Sequence, residues 1–336
     1  MSGRYVGFVL IAVIILGAAG IVFRLISTES ATIKLFGDVS TLNSETVDKI
    51  VMRDAEQQTI VEKLDRQWWV GTYPALNIRM ETLWETVSRI SEAQLIATNS
   101  INHELMGVHP DNSTVLEFWN SDQLLERFIV GDKQYAPVGE RIITPWTGSV
   151  RLCYLRRSDQ VEVYALFCEF PEPFGTDSSF WKDPIVAAVP PDEIVSITYT
   201  YAGEKFSLKL VDSVWFVETE AGSEVARIDT ITDLLNEIRQ IVTREFPEEE
   251  ELVELDWNIP HAMMAIEVAE GSSSRSVLLS FLQKGTNPEF YIRDMSKSWS
   301  YFLNEEDSYS ILKTKSDFVI KPSVAPTPYP TSTSGN

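Results

Sequence analysis

The chain carries nearly the same pattern twice, and self-similarity at a fixed spacing restricts the fold more than composition does, because each copy has to bury the same apolar face. Asp48-Lys49-Ile50-Val51 opens a stretch that reaches Trp69 and then a helical run from Thr82 to Ile90; Asp192-Glu193-Ile194-Val195 opens a second, reaching Trp215 and a helical run from Thr230 to Ile238. Further on, Tyr154-Leu155-Arg156 and Tyr164-Ala165-Leu166 return as Tyr291-Ile292-Arg293 and Tyr301-Phe302-Leu303, both at a spacing of 137 residues. The expectation is a tandem duplication.

Within the first copy, Val47 to Met52 and Thr59 to Leu64 read as two short strands with a turn over Asp54 to Gln58, leading into Trp68-Trp69-Val70. The second repeats this with Ile194 to Tyr199, a turn at Ala202-Gly203, Phe206 to Leu210 and Val214-Trp215-Phe216. A helix follows in each. Thr82 with Glu85, and Thr230 with Asp233, have the spacing of capping boxes. Ile231, Leu234, Leu235, Ile238, Ile241 and Val242 fall on one face at a 3.6 period, matched in the first helix by Leu83, Val87 and Ile90 with Trp84 beside them. The turns Gly107-Val108-His109-Pro110 and Trp257-Asn258-Ile259-Pro260 then precede new strands, Thr114 to Trp119 and Arg127 to Val130 in one copy, Ala262 to Val268 and Val277 to Leu282 in the other. The first copy alone inserts Tyr135 to Thr147, rich in Pro and Gly and holding Trp146. Loops change without disturbing a core, so an insertion of this kind is where a specific function concentrates. Tyr135 and Trp146 are its candidate interface residues.

The fold class expected is α+β: two tandem repeats, each a β-meander, one amphipathic helix and further antiparallel strands, after an N-terminal transmembrane helix. The divisions are a membrane anchor at 1–26, a juxtamembrane connector at 27–46, repeats at 47–168 and 191–320, a Pro-rich linker at 169–190 and a disordered Pro/Ser/Thr tail at 321–336. Tyr5 to Phe23 is the anchor: nineteen residues without a charge, bracketed by Arg4 and Arg24, against roughly 20 residues needed to cross a bilayer. A cleaved signal peptide is the rival, but the apolar part exceeds the usual apolar region of such a peptide and no convincing small-x-small site follows before Arg24. Arg4 and the terminal amine favour a cytoplasmic N-terminus, which places residues 27 to 336 outside the cytoplasm; the reverse orientation puts an acidic body in the cytoplasm.

Charge narrows the partners. Of 28 basic and 49 acidic residues, only Arg4 and Arg24 precede residue 27, so the remainder carries 26 against 49, or −23. Such a surface repels phosphate backbones and anionic head groups, which argues against nucleic acid. The two cysteines, Cys153 and Cys168, flank a hairpin; a disulfide in an oxidising compartment and two buried thiols are both compatible with that placement.

A strand pair running into Trp69 or Trp215 ahead of a helix, the Gly-Val-His-Pro or Trp-Asn-Ile-Pro turn ahead of new strands, and one N-terminal membrane helix together resemble the bacterial family catalogued as domain of unknown function 4340, over roughly residues 47 to 320. Met106-Gly107 and Trp257-Asn258 depart from the aromatic-glycine pair expected there. The resemblance implies a membrane-anchored extracytoplasmic protein associated with ABC-type export systems similar to gliding-motility transporters, and carries no catalytic residues.

Motifs for chemistry are sparse. His103, His109 and His261 lie in no metal-binding spacing, and neither a Gly-x-Ser-x-Gly elbow nor a phosphate-binding Gly-x-x-x-x-Gly-Lys loop occurs. The acidic run Glu248 to Glu251, continued by Glu254 and Asp256, lacks the alternation of a calcium loop and reads as a solvated connection. Asp177 with Asp183, or Glu117 with Asp122, are the pairs a hydrolase would need. Trp69 and Trp215 read as equivalent core positions. The expectation is a non-catalytic accessory or scaffold subunit of a membrane transport complex, without cofactor or metal; a cell-envelope glycan-binding module using exposed tryptophans is the alternative, and a hydrolase ranks below both.

Overall fold

The computed structural model describes residues 36–131, 134–135, 151–168, 173–253, 255–271 and 273–320. The run Tyr5–Phe23, the tail 321–336 and Trp146 lie outside them; among the described residues no helix is long and apolar enough to cross a membrane. The chain is strand-rich α+β, two large antiparallel sheets and one two-stranded sheet with few helices. It divides into two compact units: Thr72–Leu76 and the chain from Lys182 onward form the second, and the rest up to Trp181 the first.

The first unit's sheet is built from β1 (Lys49–Arg53), β2 (Gln58–Leu64), β3 (Gln67–Val70), β4 (Gln94–Ala97), β5 (Thr114–Asn120), β6 (Gln123–Val130), β7 (Arg151–Arg157) and β8 (Val163–Cys168), in the spatial order β3-β2-β1-β5-β6-β7-β8-β4. Alternation decides which side each residue takes. Ile50, Met52, Val61, Leu116, Phe118, Phe128 and Leu166 point to one face and are buried there with Leu83, Val87 and Ile90, which belong to α1 (Asn77–Arg89) and the 3-10 turn that follows it. The connector was expected to lie outside the domain, yet Phe36, Val39 and Leu42 are all buried. Phe36 makes edge-on contacts with Tyr164 at 4.8 Å and Phe128 at 5.6 Å. A short helix, α2 (Ser178–Trp181), closes the unit with Trp181 fully buried, its indole N–H donating to Gly175 O at 2.8 Å.

The second unit's sheet has β9 (Ile194–Tyr201), β10 (Glu204–Val211), β11 (Val214–Thr219), β12 (Gly222–Val225), β13 (Ala262–Glu270), β14 (Ser273–Gln283), β15 (Phe290–Asp294) and β16 (Tyr301–Leu303), in the order β12-β11-β10-β9-β13-β14-β15-β16. Its core joins Ile197, Tyr199, Leu208, Met264, Ile266, Leu279 and Phe281 to Ile231, Leu234 and Ile238 of α3 (Ile228–Ile238). Tyr73 belongs to this core, its hydroxyl donating to Ser300 O at 2.6 Å.

Register shows where the sequence pattern holds and where it slips. Tyr164 pairs with Leu155 and Ala165 with Tyr154; Tyr301 pairs with Ile292 and Phe302 with Tyr291. Every one of these positions is displaced by 137 residues. Upstream, the two-residue turns Asp65-Arg66 and Asp212-Ser213 both have positive φ at each residue, 48° and 71° against 48° and 64°, the geometry that matches the twist of a tight hairpin. Counted from those turns, Trp215 stands where Trp68 does, not Trp69, and Ile197 stands where Ile50 does. The matching Asp-x-Ile-Val tetrapeptides are therefore three residues out of structural register, because β9 begins earlier than β1.

The helix starts also differ from expectation. Thr82 lies inside α1, its hydroxyl donating back to Ile78 O at 2.8 Å. Thr230 lies in the first turn of α3 and donates to Asp317 O at 3.1 Å. A capping box does occur, at Thr314 and Asp317, ahead of a helical turn over Lys315–Phe318. Ile241 and Val242 leave the helix and pair with Ile185–Ala187 as a short strand.

Candidate functional site

The insertion's position is set by the strands that flank it. Twenty residues separate β6 from β7, where six separate β14 from β15. Beyond β6 the chain forms a two-residue strand, Gln134–Tyr135, on the same edge of β7 that β6 occupies, with Tyr135 opposite Arg151. The segment between them thus leaves and returns at adjacent backbone positions. Across β7, Arg151 is opposite Cys168 of β8. A disulfide joins Cys153 to Cys168, with Cα atoms 5.7 Å apart and both side chains buried. Sequence left a bond or two free thiols open; the bonded form staples β7 to β8 at the end of the sheet from which the insertion departs. Tyr135 contributes a backbone position to this base.

The other face of each sheet is covered by a loop, and an arginine from the repeated Tyr-x-Arg tripeptide secures it. Arg156 is buried: its Nε donates to Val108 O at 3.0 Å, and Nη1 donates to the carbonyls of Arg157, Ser158 and Gln160 at 3.1–3.3 Å. Arg293 lies 4.5 Å over the Trp257 ring, with its Nε buried and unpartnered. Val108 and Trp257 belong to the two proline turns. Burial draws both guanidinium groups below their ordinary value, without depriving them of charge. Gly131 completes the first latch: a Cβ there would stand 2.2 Å from Met106 O, so the loop can approach only a glycine. Neither the tripeptide nor the proline turns show this role separately; their shared recurrence was the available signal.

Other candidates are dispersed. His103 is buried with Nε2 at 2.8 Å from Val161 O, His109 Nδ1 accepts from Asp111 N, and His261 Nδ1 accepts from Gln283 N. Among the described residues no group of three His, Cys, Asp or Glu is arranged to hold a metal ion. Glu117 is buried between Arg127 at 2.8 Å and Arg53 at 3.3 Å, with the Trp119 indole donating to its other oxygen, so both carboxylate oxygens accept hydrogen bonds within the sheet. Asp177 accepts from Ser179 and Asp183 from the Ile185 N–H. Within the acidic run, Glu249–Val253 forms one helical turn and Glu251 pairs with Lys284 at 2.7 Å. Asp54, Glu56, Asp111, Asn112 and Ser113 line an acidic depression of about 280 Å³ in the first unit. None of the eight described tryptophans is exposed; Trp181 and Trp215 are buried and the others half-buried.

Comparison with family models, with curated proteins and with solved structures finds no match.

Proposed function

We infer that the chain is a tandem duplication held in a bacterial cytoplasmic membrane by one N-terminal helix, with both sheets outside the cytoplasm, and that it serves as a non-catalytic accessory or scaffold subunit of an ABC-type transport complex. The observation that carries this reading is the asymmetry between two sheets that share seven strands in the same order, β3-β2-β1-β5-β6-β7-β8 and β11-β10-β9-β13-β14-β15-β16. Only the first has the longer β6–β7 connection, and only there does a disulfide fix the strands at its base. Duplication is supported by the common order and by hairpin registers displaced by 137 residues. The anchor is supported by the uncharged run Tyr5–Phe23. A disulfide persists in oxidising compartments, which supports an extracytoplasmic body. The transport complex comes from the family resemblance, and a loop presented on a braced sheet end suits contact with a protein partner.

The test is a gentle-detergent pull-down of the full-length chain from its native membrane with mass spectrometry, against a version lacking residues 1 to 26 and a second lacking Tyr135 to Thr147. Recovery of a permease and an ATPase by the full chain, lost with either deletion, is the expected outcome. Recovery of the chain alone, under conditions that keep other complexes whole, would overturn it.

A further inference from the structure

The described residue nearest the anchor is locked into the first unit. Phe36 is buried against Tyr164 and Phe128, its N–H donates to Ala93 O at 3.0 Å, and the Arg157 guanidinium lies 5.0 Å over its ring. Twelve residues, Arg24 to Leu35, stand between the end of the uncharged run and this fixed point. At ~3.6 Å per residue such a segment cannot span more than about 43 Å. A body tied so closely to a bilayer meets membrane-embedded partners at an effective concentration that a diffusing protein does not reach.

The chain enters beside β4, the edge strand of this sheet. There Ile96 is 42% exposed, Ile101 in the turn that follows is 79% exposed, and Val161 in the turn between β7 and β8 is 48% exposed. The contact of His103 Nε2 with Val161 O joins those turns. The exposed carboxylates Glu92, Glu104 and Asp159 lie within a few residues of these positions along the chain. That charge opposes a lipid surface rich in anionic head groups and leaves a protein as the better-matched occupant.

We propose that the β4 edge, with Ile96, Ile101 and Val161, is a docking surface for the extracytoplasmic loops of an integral membrane protein. The proposal rests on the anchored, extracytoplasmic reading above and adds to the β6–β7 connection a second contact with the partner, at the edge where the chain enters the first unit. The tether gives it a quantitative consequence. Effective concentration falls roughly as the −3/2 power of linker length, so lengthening twelve residues to sixty reduces it about tenfold.

The experiment is photo-crosslinking in native membranes, using the full chain with a photo-reactive side chain in place of Ile101 and, as a control on the same sheet, in place of Leu64, which is 55% exposed. The expected result is an adduct with one integral membrane protein from position 101 and none from 64. Its yield should fall about tenfold when forty-eight Gly/Ser residues are inserted after Ile26, and fall again with Ile96→Glu. Adducts with lipid or soluble proteins alone, or a yield indifferent to the insertion, would overturn the proposal. If position 101 gives no adduct while the pull-down still recovers a permease, the docking surface fails and the functional reading stands. If neither gives a membrane partner, both fail.

Discussion

Arg156 and Arg293 occupy the same place in the two sheets and hold their loops by different physics. Arg156 is the donor for four carbonyls, so Arg156→Met strands the buried Val108 acceptor and three part-buried ones and should lower the first unit's stability by about 1–3 kcal/mol. Arg293 makes a cation–π contact and leaves its Nε unpartnered, so Arg293→Met, which keeps an apolar body against Trp257, should cost under about 1 kcal/mol. Hydrogen exchange on the β7 and β15 amides reads the two separately; equal losses would contradict the assignment. The pair Glu251–Lys284 carries a pH signature. The Lys284 ammonium holds the Glu251 carboxyl below its ordinary 4.5, and Glu251 raises Lys284 above its ordinary 10.5. A lowered acid contributes stability that is present above 4.5 and lost as pH falls through the lowered value; a raised base contributes stability that is present below 10.5 and lost as pH rises through the raised one. Glu251→Gln should therefore be less stable than the parent between about pH 5 and 10, by under about 1 kcal/mol because both groups are part-exposed, and equal to it in strong acid. Urea midpoints across that range check it.

At the scale of elements, the disulfide is the first unit's own brace. Closing a separation of 15 residues, it should stabilise β7 and β8 by about 3 kcal/mol. The double variant Cys153→Ala, Cys168→Ala should lose about that much exchange protection on those strands while β15 and β16 keep theirs; loss on both sheets would contradict a local role. The elements themselves were legible unevenly. Strands were, because a strand buried on one side writes its alternation into every second residue, and Tyr-Leu-Arg and Tyr-Ile-Arg preserve both faces at once. Helix starts were not: Thr82 and Thr230 have capping spacing, but threonine also satisfies its hydroxyl inside a helix by donating back to a carbonyl, as Thr82 does. Ile241 and Val242 continue the helical period and still form a strand, because Ile185–Ala187 offers them backbone partners that sequence cannot display. The three-residue slip of the Asp-x-Ile-Val match has the same origin, since identity at three of four positions says nothing about where a strand begins.

For the whole molecule, the fold class was legible and the partner was not. Two sheets, each with a helix on one face and a loop on the other, follow from the doubled pattern; the candidate site was legible only as a place, the longer β6–β7 connection. Its disulfide and the burial of Phe36 depend on which strands become neighbours, which is a property of the assembled sheet. Everything proposed about partners depends on one claim, that the body stands outside the cytoplasm. The oxidation state of Cys153 and Cys168 in living cells tests that claim most directly, by acid quenching, alkylation of free thiols under denaturing conditions, and mass measurement of the peptides. The account predicts that both residues resist alkylation until a reductant is added. Free, fully alkylated thiols at steady state would contradict it, placing the two sheets in a reducing compartment and removing the anchor's proposed orientation with them.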